Sequence, residues 1–204
     1  MENIQLNNVD QAYEQSKTLS DLITNKGETL LSDLTNNILS LQAHWIGSDA
    51  TTHINNLIVV KDALEALLRD GKSGVAFACD HVIAVQEVIK SNAGNQQVGA
   101  PLQKDIASVS AIAKCEDTDQ YYVDPAAEAD KNNLVSECDA YESFITSFVA
   151  DKDELLSNWT AGANRDEVVK KFNEFVENSD TYKKYMNDAK SNLEIAVSNI
   201  SKLG

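Results

Sequence analysis

The sequence predicts an all-α protein in which two helix-turn-helix hairpins pack as an antiparallel four-helix bundle. Its 204 residues include only two prolines and eight glycines, fewer than the many turns of an all-β chain would use. Apolar residues recur every three or four positions over four long stretches, which is the spacing of one helix face. The only two tryptophans, Trp45 and Trp159, each lie between two of these stretches and are followed two or three residues later by a glycine.

The first predicted hairpin covers residues 1–95. Its first helix carries an apolar stripe, with a gap at Gly27, through Leu19, Ile23, Leu30, Leu34, Ile38, Leu41 and Trp45. The stripe stops at Trp45-Ile46-Gly47, where Gly47 can take the left-handed conformation that ends a helix. Ser48 or Asp49 can then cap the next helix. The second stripe continues beyond Gly71 and Gly74 and runs through Ala50, Ile54, Leu57, Leu64, Leu68, Val75, Ala78, Val82, Val85 and Ile89.

Residues 96–123 are predicted to link the two hairpins. The clearest linker segment, residues 92–101, overlaps the start of this range and combines Gly, Asn and Pro without any apolar period. Two structures remain open for the remainder. One is a short helix through Leu102, Ile106, Val109 and Ala113, which we favour. The other is a β-hairpin in which residues 110–115 and 121–123 flank an acidic turn at 116–119.

The second predicted hairpin covers residues 124–204. It opens with Asp124-Pro125, where Asp can cap a helix and Pro suits its first position. The third stripe runs through Ala127, Leu134, Cys138, Tyr141, Ile145, Phe148, Leu155 and Trp159. After the turn Trp159-Thr160-Ala161-Gly162, the fourth stripe runs through Val169, Phe172, Val176, Tyr182, Met186, Ala189, Leu193, Val197 and Ile200.

The charge of the chain argues against nucleic-acid and membrane partners. Its net charge is −15, and its 17 Lys and Arg residues are scattered, whereas phosphate binding needs clustered cations. No stretch approaches the ~18 apolar residues that a membrane-spanning helix needs, so no membrane insertion is expected. The first residues lack the basic start and apolar core of a signal peptide. Any export is therefore expected to follow a route that does not use one.

The residues that could carry chemistry show no recognised arrangement. Cys79, Cys115 and Cys138 are odd in number, and they form no zinc-type spacing with the three histidines. We therefore expect free, mostly buried thiols. There is no glycine-rich phosphate loop and no paired-carboxylate pattern. The sequence predicts a protein that is not an enzyme, with no catalytic residues, no metal site and no cofactor.

The doubled arrangement resembles the WXG100 (ESAT-6-like) family, whose members are helical hairpins with Trp-x-Gly in the turn. The resemblance covers most of the chain, as two copies in tandem. The first copy carries the motif as Trp45-Ile46-Gly47, followed by Ala50 at the start of the next helix. The second copy opens with Val123-Asp124-Pro125, similar to a common start of such hairpins. Its turn, residues 159–162, is one residue longer than the family pattern.

The resemblance implies export by a type VII (ESX-like) secretion system. The chain would be a substrate or a targeting partner that acts by protein–protein contact, and its partners would be the secretion ATPase or a co-secreted toxin or effector. It would be made in the cytoplasm and reach the medium or the cell surface without a signal peptide. Many secreted members carry Tyr-x-x-x-Asp or Glu after the second helix. This pattern is not found here, so a partner chain is expected to supply it.

A tandem fusion makes the pairing of the hairpins intramolecular, at an effective concentration on the order of mM. We therefore expect a monomeric pseudo-dimer. Trp45, Gly47, Trp159 and Gly162 are the candidate recognition residues, with an indole partly exposed as an anchor.

The alternative for the same four residues is structural. Each indole would plug the end of the bundle, where full burial contributes up to ~3–5 kcal/mol, and each glycine would let the chain reverse. The protein would then be a cytosolic structural or adaptor bundle that is not exported. A toxin that opens in membranes ranks last, because no long apolar segment is present.

Overall fold

The computed structural model of the chain describes residues 5–94 and 97–200 and is mostly helical, which confirms the all-α class. The first two helices, α1 (Val9–Leu22) and α2 (Glu28–His44), are joined without a break through a π-helical turn at Ile23–Gly27. The α-helices are α1 Val9–Leu22, α2 Glu28–His44, α3 Ser48–Asn92, α4 Ala126–Asn158 and α5 Ala163–Ile200. Short strands pair antiparallel, β1 with β4 and β2 with β3, and they are β1 Gln5–Leu6, β2 Trp45–Ile46, β3 Tyr122–Val123 and β4 Trp159–Ala161.

The helix starts follow local capping chemistry. The Asn8 side chain accepts a hydrogen bond from the N–H of Gln11, 3.0 Å away, and so caps α1. The Asp124 side chain accepts one from the N–H of Ala126 at 2.8 Å, which confirms the predicted cap of α4. Helix α3 begins at Ser48, so Gly47 occupies the cap position that we expected for Ser48 or Asp49. Its carbonyl accepts the first helical bond, from the N–H of Thr51 at 2.9 Å.

The chain divides into two compact units, and each unit combines residues of both predicted hairpins. Unit 1 comprises Met1–Gly27, Leu67–Ile106 and Phe144–Asn178. Unit 2 comprises Glu28–Ala66, Ala107–Ser143 and Ser179–Gly204. The compact units therefore do not coincide with the hairpins at 1–95 and 124–204.

The core of unit 1 is aromatic. The Phe148 ring lies 4.2 Å from that of Phe175 and 6.0 Å from that of Phe172, measured between ring centroids. Helix α3 meets this cluster at Gly71, where an added Cβ would lie 2.5 Å from the Phe175 ring. The glycine therefore allows a close helix approach, and it does not break α3, which stays continuous over 45 residues.

The core of unit 2 combines aliphatic residues of α2 and α3 with a tyrosine pair. Leu34, Ile38 and Ile54 are fully buried. The rings of Tyr141 and Tyr182 lie 4.5 Å apart, and the Tyr141 hydroxyl donates to the carbonyl of Ser179 at 2.9 Å. Burial raises the pKa of both phenols, so these side chains serve as neutral core residues.

The linker prediction is wrong in its detail. The connecting segment, residues 97–121, contains neither the short helix that we favoured nor a hairpin, and it has no regular secondary structure. Side chains of the helices satisfy its backbone instead. In unit 1, the Tyr13 hydroxyl binds both the N–H and the carbonyl of Ala100. In unit 2, the Asn55 amide binds the N–H and the carbonyl of Cys115 at 2.8 and 3.0 Å. A segment held through its backbone leaves little periodic pattern in its sequence.

Candidate functional site

The first Trp-Gly turn lies in unit 2, between α2 and α3. Strand β2 pairs with β3, which precedes α4, so that Trp45 lies opposite Val123. The pairing extends one residue beyond the strands, because the N–H of Asp124 donates to the carbonyl of His44 at 2.8 Å. Gly47 then reverses the chain with a φ of +143°, a value that side-chain-bearing residues rarely adopt. The turn of the first hairpin is thus fastened to the start of the second.

The Trp45 side chain is a core residue. It is 1% exposed and stacks on the His53 ring, with centroids 5.7 Å apart and planes 17° apart. Burial lowers the pKa of His53, and the nearby Asp49 carboxylate opposes this only in part. The Trp45 Nε1 atom is buried and has no hydrogen-bond partner among the described residues. The indole therefore acts here through its apolar surface and not through its N–H.

Polar side chains brace the same turn. The His44 Nδ1 atom lies 2.6 Å from the Asp130 carboxylate on α4. The Asp124 carboxylate accepts from the N–H of Ala126 and from the Tyr122 hydroxyl, and these bonds hold its pKa below the usual value. An added Cβ on Gly47 would lie 3.0 Å from the Tyr121 ring. Backbone hydrogen bonds, polar side-chain contacts and a ring contact thus all support this turn.

The second Trp-Gly turn lies in unit 1, between α4 and α5. Strand β4 pairs with β1, which precedes α1, so that Trp159 lies opposite Leu6. The N–H of Asn7 donates to the carbonyl of Asn158 at 2.9 Å. The register then shifts, because Gln5 lies opposite Ala161 and leaves Thr160 as an extra residue in a β-bulge. Gly162 reverses the chain with a φ of +129°.

Trp159 is 1% exposed, like Trp45. Its ring meets that of His81 at a centroid distance of 6.4 Å in an edge-on arrangement. The Trp159 Nε1 and His81 Nε2 atoms are buried without a hydrogen-bond partner in the described part of the chain. The Arg165 Nε atom donates to the carbonyl of Trp159, which closes the first turn of α5 onto the strand.

The two turns repeat one hydrogen-bond pattern. In each, the carbonyl of the residue before Trp accepts from the N–H that follows the paired strand, Asp124 in one case and Asn7 in the other. Sequence analysis located both turns and both reversing glycines, but it did not identify the strands that hold them. One sequence feature could have indicated the strands. An apolar residue followed by polar or proline residues stands just before the first helix of each hairpin, at 6–8 and 123–125.

The expectation that an indole is partly exposed as a partner anchor is wrong for this conformation. Trp45 and Trp159 are both buried, and neither presents surface to another protein. The turns do expose their middle residues, namely Ile46, which is 36% exposed, and Thr160. Any direct contact with a partner at these turns would therefore involve the middle residues.

The predicted free thiols are confirmed. Cys79, Cys115 and Cys138 form no disulfide, and Cys79 and Cys138 are buried. Burial raises the pKa of Cys79 to about 12 and that of Cys138 to about 11, so both remain protonated at neutral pH. Within residues 5–94 and 97–200, no group of three or more His, Cys, Asp or Glu side chains is placed to hold a metal ion.

The same described ranges hold no helix with the length and apolar character needed to cross a membrane. Comparisons with family models, with curated proteins and with solved structures found no match to this chain.

Proposed function

We propose that this chain is a non-enzymatic substrate or targeting partner of a type VII secretion system. The observation that carries the proposal is the doubled Trp-Gly turn, in which each turn is hydrogen-bonded to the segment that opens the other hairpin. Such reciprocal fastening is what a tandem of two WXG100-like hairpins would require.

The proposal includes the finer architecture. The two hairpins pair as an antiparallel four-helix bundle, and the protein is a monomeric pseudo-dimer. Its partners are the secretion ATPase or a co-secreted toxin or effector, and its destination is the medium or the cell surface. The net charge of −15 favours a solvated surface and disfavours self-association.

Deletion of the type VII ATPase in the organism that encodes the chain tests this function. The protein should be present in the culture supernatant of the wild type and absent from that of the deletion strain, while its cellular level is maintained. Unchanged export in the deletion strain would sink the proposal, and so would a protein that never leaves the wild-type cell.

A matched pair of variants tests which turn is recognised. Ile46→Asp and Thr160→Asp each place a charge on the exposed middle of one turn and leave both indoles in place. The first turn has the family spacing, so we expect Ile46→Asp to reduce export and Thr160→Asp to have little effect. Thermal unfolding of both variants checks that the fold is retained. Equal effects on export would remove the assignment of recognition to the first turn.

One observation favours the alternative, a cytosolic structural or adaptor bundle. Both indoles are buried, as they would be if the turns served folding alone. Under this alternative, both charged variants would leave partner binding intact, and the protein would stay inside the cell with or without the ATPase.

A further inference from the structure

Unit 2 carries an apolar groove on its surface, between helices α3 and α5. The groove has a volume of about 190 Å³ and is lined by Asn56, Val59, Val60, Tyr185, Asp188, Ala189 and Asn192. Val59 is 58% exposed and Tyr185 is 51% exposed. Large apolar side chains that face water on both walls of one groove are typical of an interaction surface.

The groove has the geometry of a helix-binding site. On α5, Tyr185, Asp188 and Asn192 are spaced as one helical stripe, and exposed Ile195 extends the stripe by another turn. On α3, Asn56 and Val59 are three residues apart and form the opposite wall. The two walls together present apolar Val59, Val60, Tyr185 and Ala189 interspersed with polar Asn56, Asp188 and Asn192, a mixture that the apolar and polar faces of an amphipathic helix can match.

The charges indicate the sign of the partner. Unit 2 has 17 acidic residues against 7 Lys and Arg, a net charge of −10, whereas unit 1 has 15 against 10, a net charge of −5. Asp188 is the charged residue of the groove lining, and no ion pair is recorded for it within the described ranges. A second copy of this chain would bring a further −15 and is disfavoured by repulsion, whereas a cationic helix is attracted.

We propose that this groove binds a basic amphipathic helix of another protein. Apolar side chains of that helix pack against Val59, Tyr185 and Ala189, and a Lys or Arg pairs with Asp188. The binding does not depend on export, so it goes beyond the proposed secretion function and can hold or fail separately from it.

Fluorescence anisotropy with two labelled synthetic peptides tests the groove. Both peptides form a helix of about six turns with leucine and alanine on one face. One carries lysines on its polar face and the other carries glutamates at the same positions. We expect the lysine peptide to bind the full chain saturably at physiological salt, and the glutamate peptide to bind at least about tenfold more weakly because Asp188 and the net negative charge of unit 2 repel it.

Three variants locate the binding. Val59→Ser with Tyr185→Ser should weaken the lysine peptide at least about tenfold, since both anchoring surfaces are lost. The matched control is Val88→Ser with Ile89→Ser, which removes two exposed apolar residues of α3 in unit 1 and should leave the affinity unchanged. Asp188→Lys should weaken the lysine peptide and strengthen the glutamate peptide.

Several results would overturn the proposal. Two concern the peptides: the lysine peptide shows no saturable binding, or the two peptides bind with equal affinity. Two concern the variants: the groove variant and the control lose affinity for the lysine peptide equally, or the wild type self-associates and the groove variant abolishes that self-association. Circular dichroism of each variant excludes misfolding as the cause of a loss. None of these results bears on ATPase-dependent export, so the two proposals fail distinguishably.

Discussion

The first Trp-Gly turn passes between its helices through Trp45, Ile46 and Gly47, whereas the second has one residue more. Both nevertheless bury the indole, reverse the chain at a glycine of positive φ and accept an N–H on the carbonyl before Trp. The extra residue, Thr160, is taken up as a bulge in the strand pair. The buried ring and the paired strand are therefore the features that both turns share, whereas the number of residues in the turn differs by one.

The side chains that support the turns differ more than the backbones do. The first turn has a stacked His53 and a polar contact between His44 Nδ1 and the Asp130 carboxylate. The second has an edge-on His81 and a guanidinium bond from Arg165 to the carbonyl of Trp159. The feature common to both turns is therefore the backbone hydrogen-bond pattern around Trp, and each unit supports it with different side chains.

The largest effect is expected for removal of either indole. Trp45→Ala and Trp159→Ala should each lower the free energy of unfolding by about 3–5 kcal/mol, because each creates a cavity at a fully buried site. Urea unfolding of the full chain measures this. The Phe variants should lose clearly less, since neither Nε1 makes a hydrogen bond that Phe would break. A loss below about 1 kcal/mol for either Ala variant, typical of a surface site, would contradict the buried position.

A slightly smaller effect is expected at Glu137, a carboxylate that is buried in unit 2. Glu137 on α4 accepts from the Asn37 amide, and its Oε2 atom is buried with no partner among the described residues. Burial raises the pKa of Glu137 from 4.5 to about 7, and the nearby Asp33 carboxylate adds to the shift. The folded state thus keeps a proton that the unfolded state loses above pH 4.5. The contribution of Glu137 to stability should therefore fall as pH rises from 4.5 to 7 and level off above 7.

The variant Glu137→Gln removes this dependence and retains an acceptor for Asn37. Above pH 7 it should be more stable than the wild type by on the order of 3 kcal/mol, and below pH 4.5 the two should be alike. The matched control in unit 1 is Glu154→Gln, which changes an exposed carboxylate that accepts from the Gln15 amide and keeps Glu137, so the pH-dependent contribution of Glu137 should persist in it. Because the lowered pKa of His53 contributes with the opposite sign in this range, the test is the difference between the two proteins, and a difference that stays constant between pH 4.5 and 7 would contradict the raised pKa of Glu137.

The reversing glycines are expected to matter less. Gly47→Ala and Gly162→Ala should each cost roughly 1–3 kcal/mol, because alanine is strained at a φ of +143° or +129°. The cost at Gly47 should be the greater, since its new Cβ would lie 3.0 Å from the Tyr121 ring. Thermal unfolding of the two variants compares them directly. A stabilising effect of either alanine would show that the turn does not need positive φ.

The smallest effect is expected for deletion of Thr160. The deletion gives the second turn the length of the first and makes Leu6 and Gln5 face consecutive residues, so the bulge should disappear while Trp159 stays buried. Unfolding by urea should show a change within about 1 kcal/mol, as for other exposed positions. A loss as large as that of Trp159→Ala would mean that the bulge itself holds the turn.

Local signals predicted the helices and turns, whereas non-local contacts escaped prediction. Apolar periodicity located the long helices, and the Trp-Gly pattern located Gly47 and Gly162. The strands were missed because segments of two or three residues show no period and their partners are distant in the sequence, as when Leu6 pairs with Trp159. The connecting segment was misassigned because side chains such as Asn55 satisfy its backbone.

Amide hydrogen exchange tests the reciprocal fastening of the turns most directly. The amides of Asp124 and Asn7 donate to the carbonyls of His44 and Asn158, so both should exchange far more slowly than the amide of Ser110 in the exposed connecting segment. Gly47→Ala should speed exchange at Asp124 and leave Asn7 protected, and Gly162→Ala should do the reverse. Exchange at Asp124 and Asn7 as fast as at Ser110, or joint loss of both protections in either variant, would contradict the account.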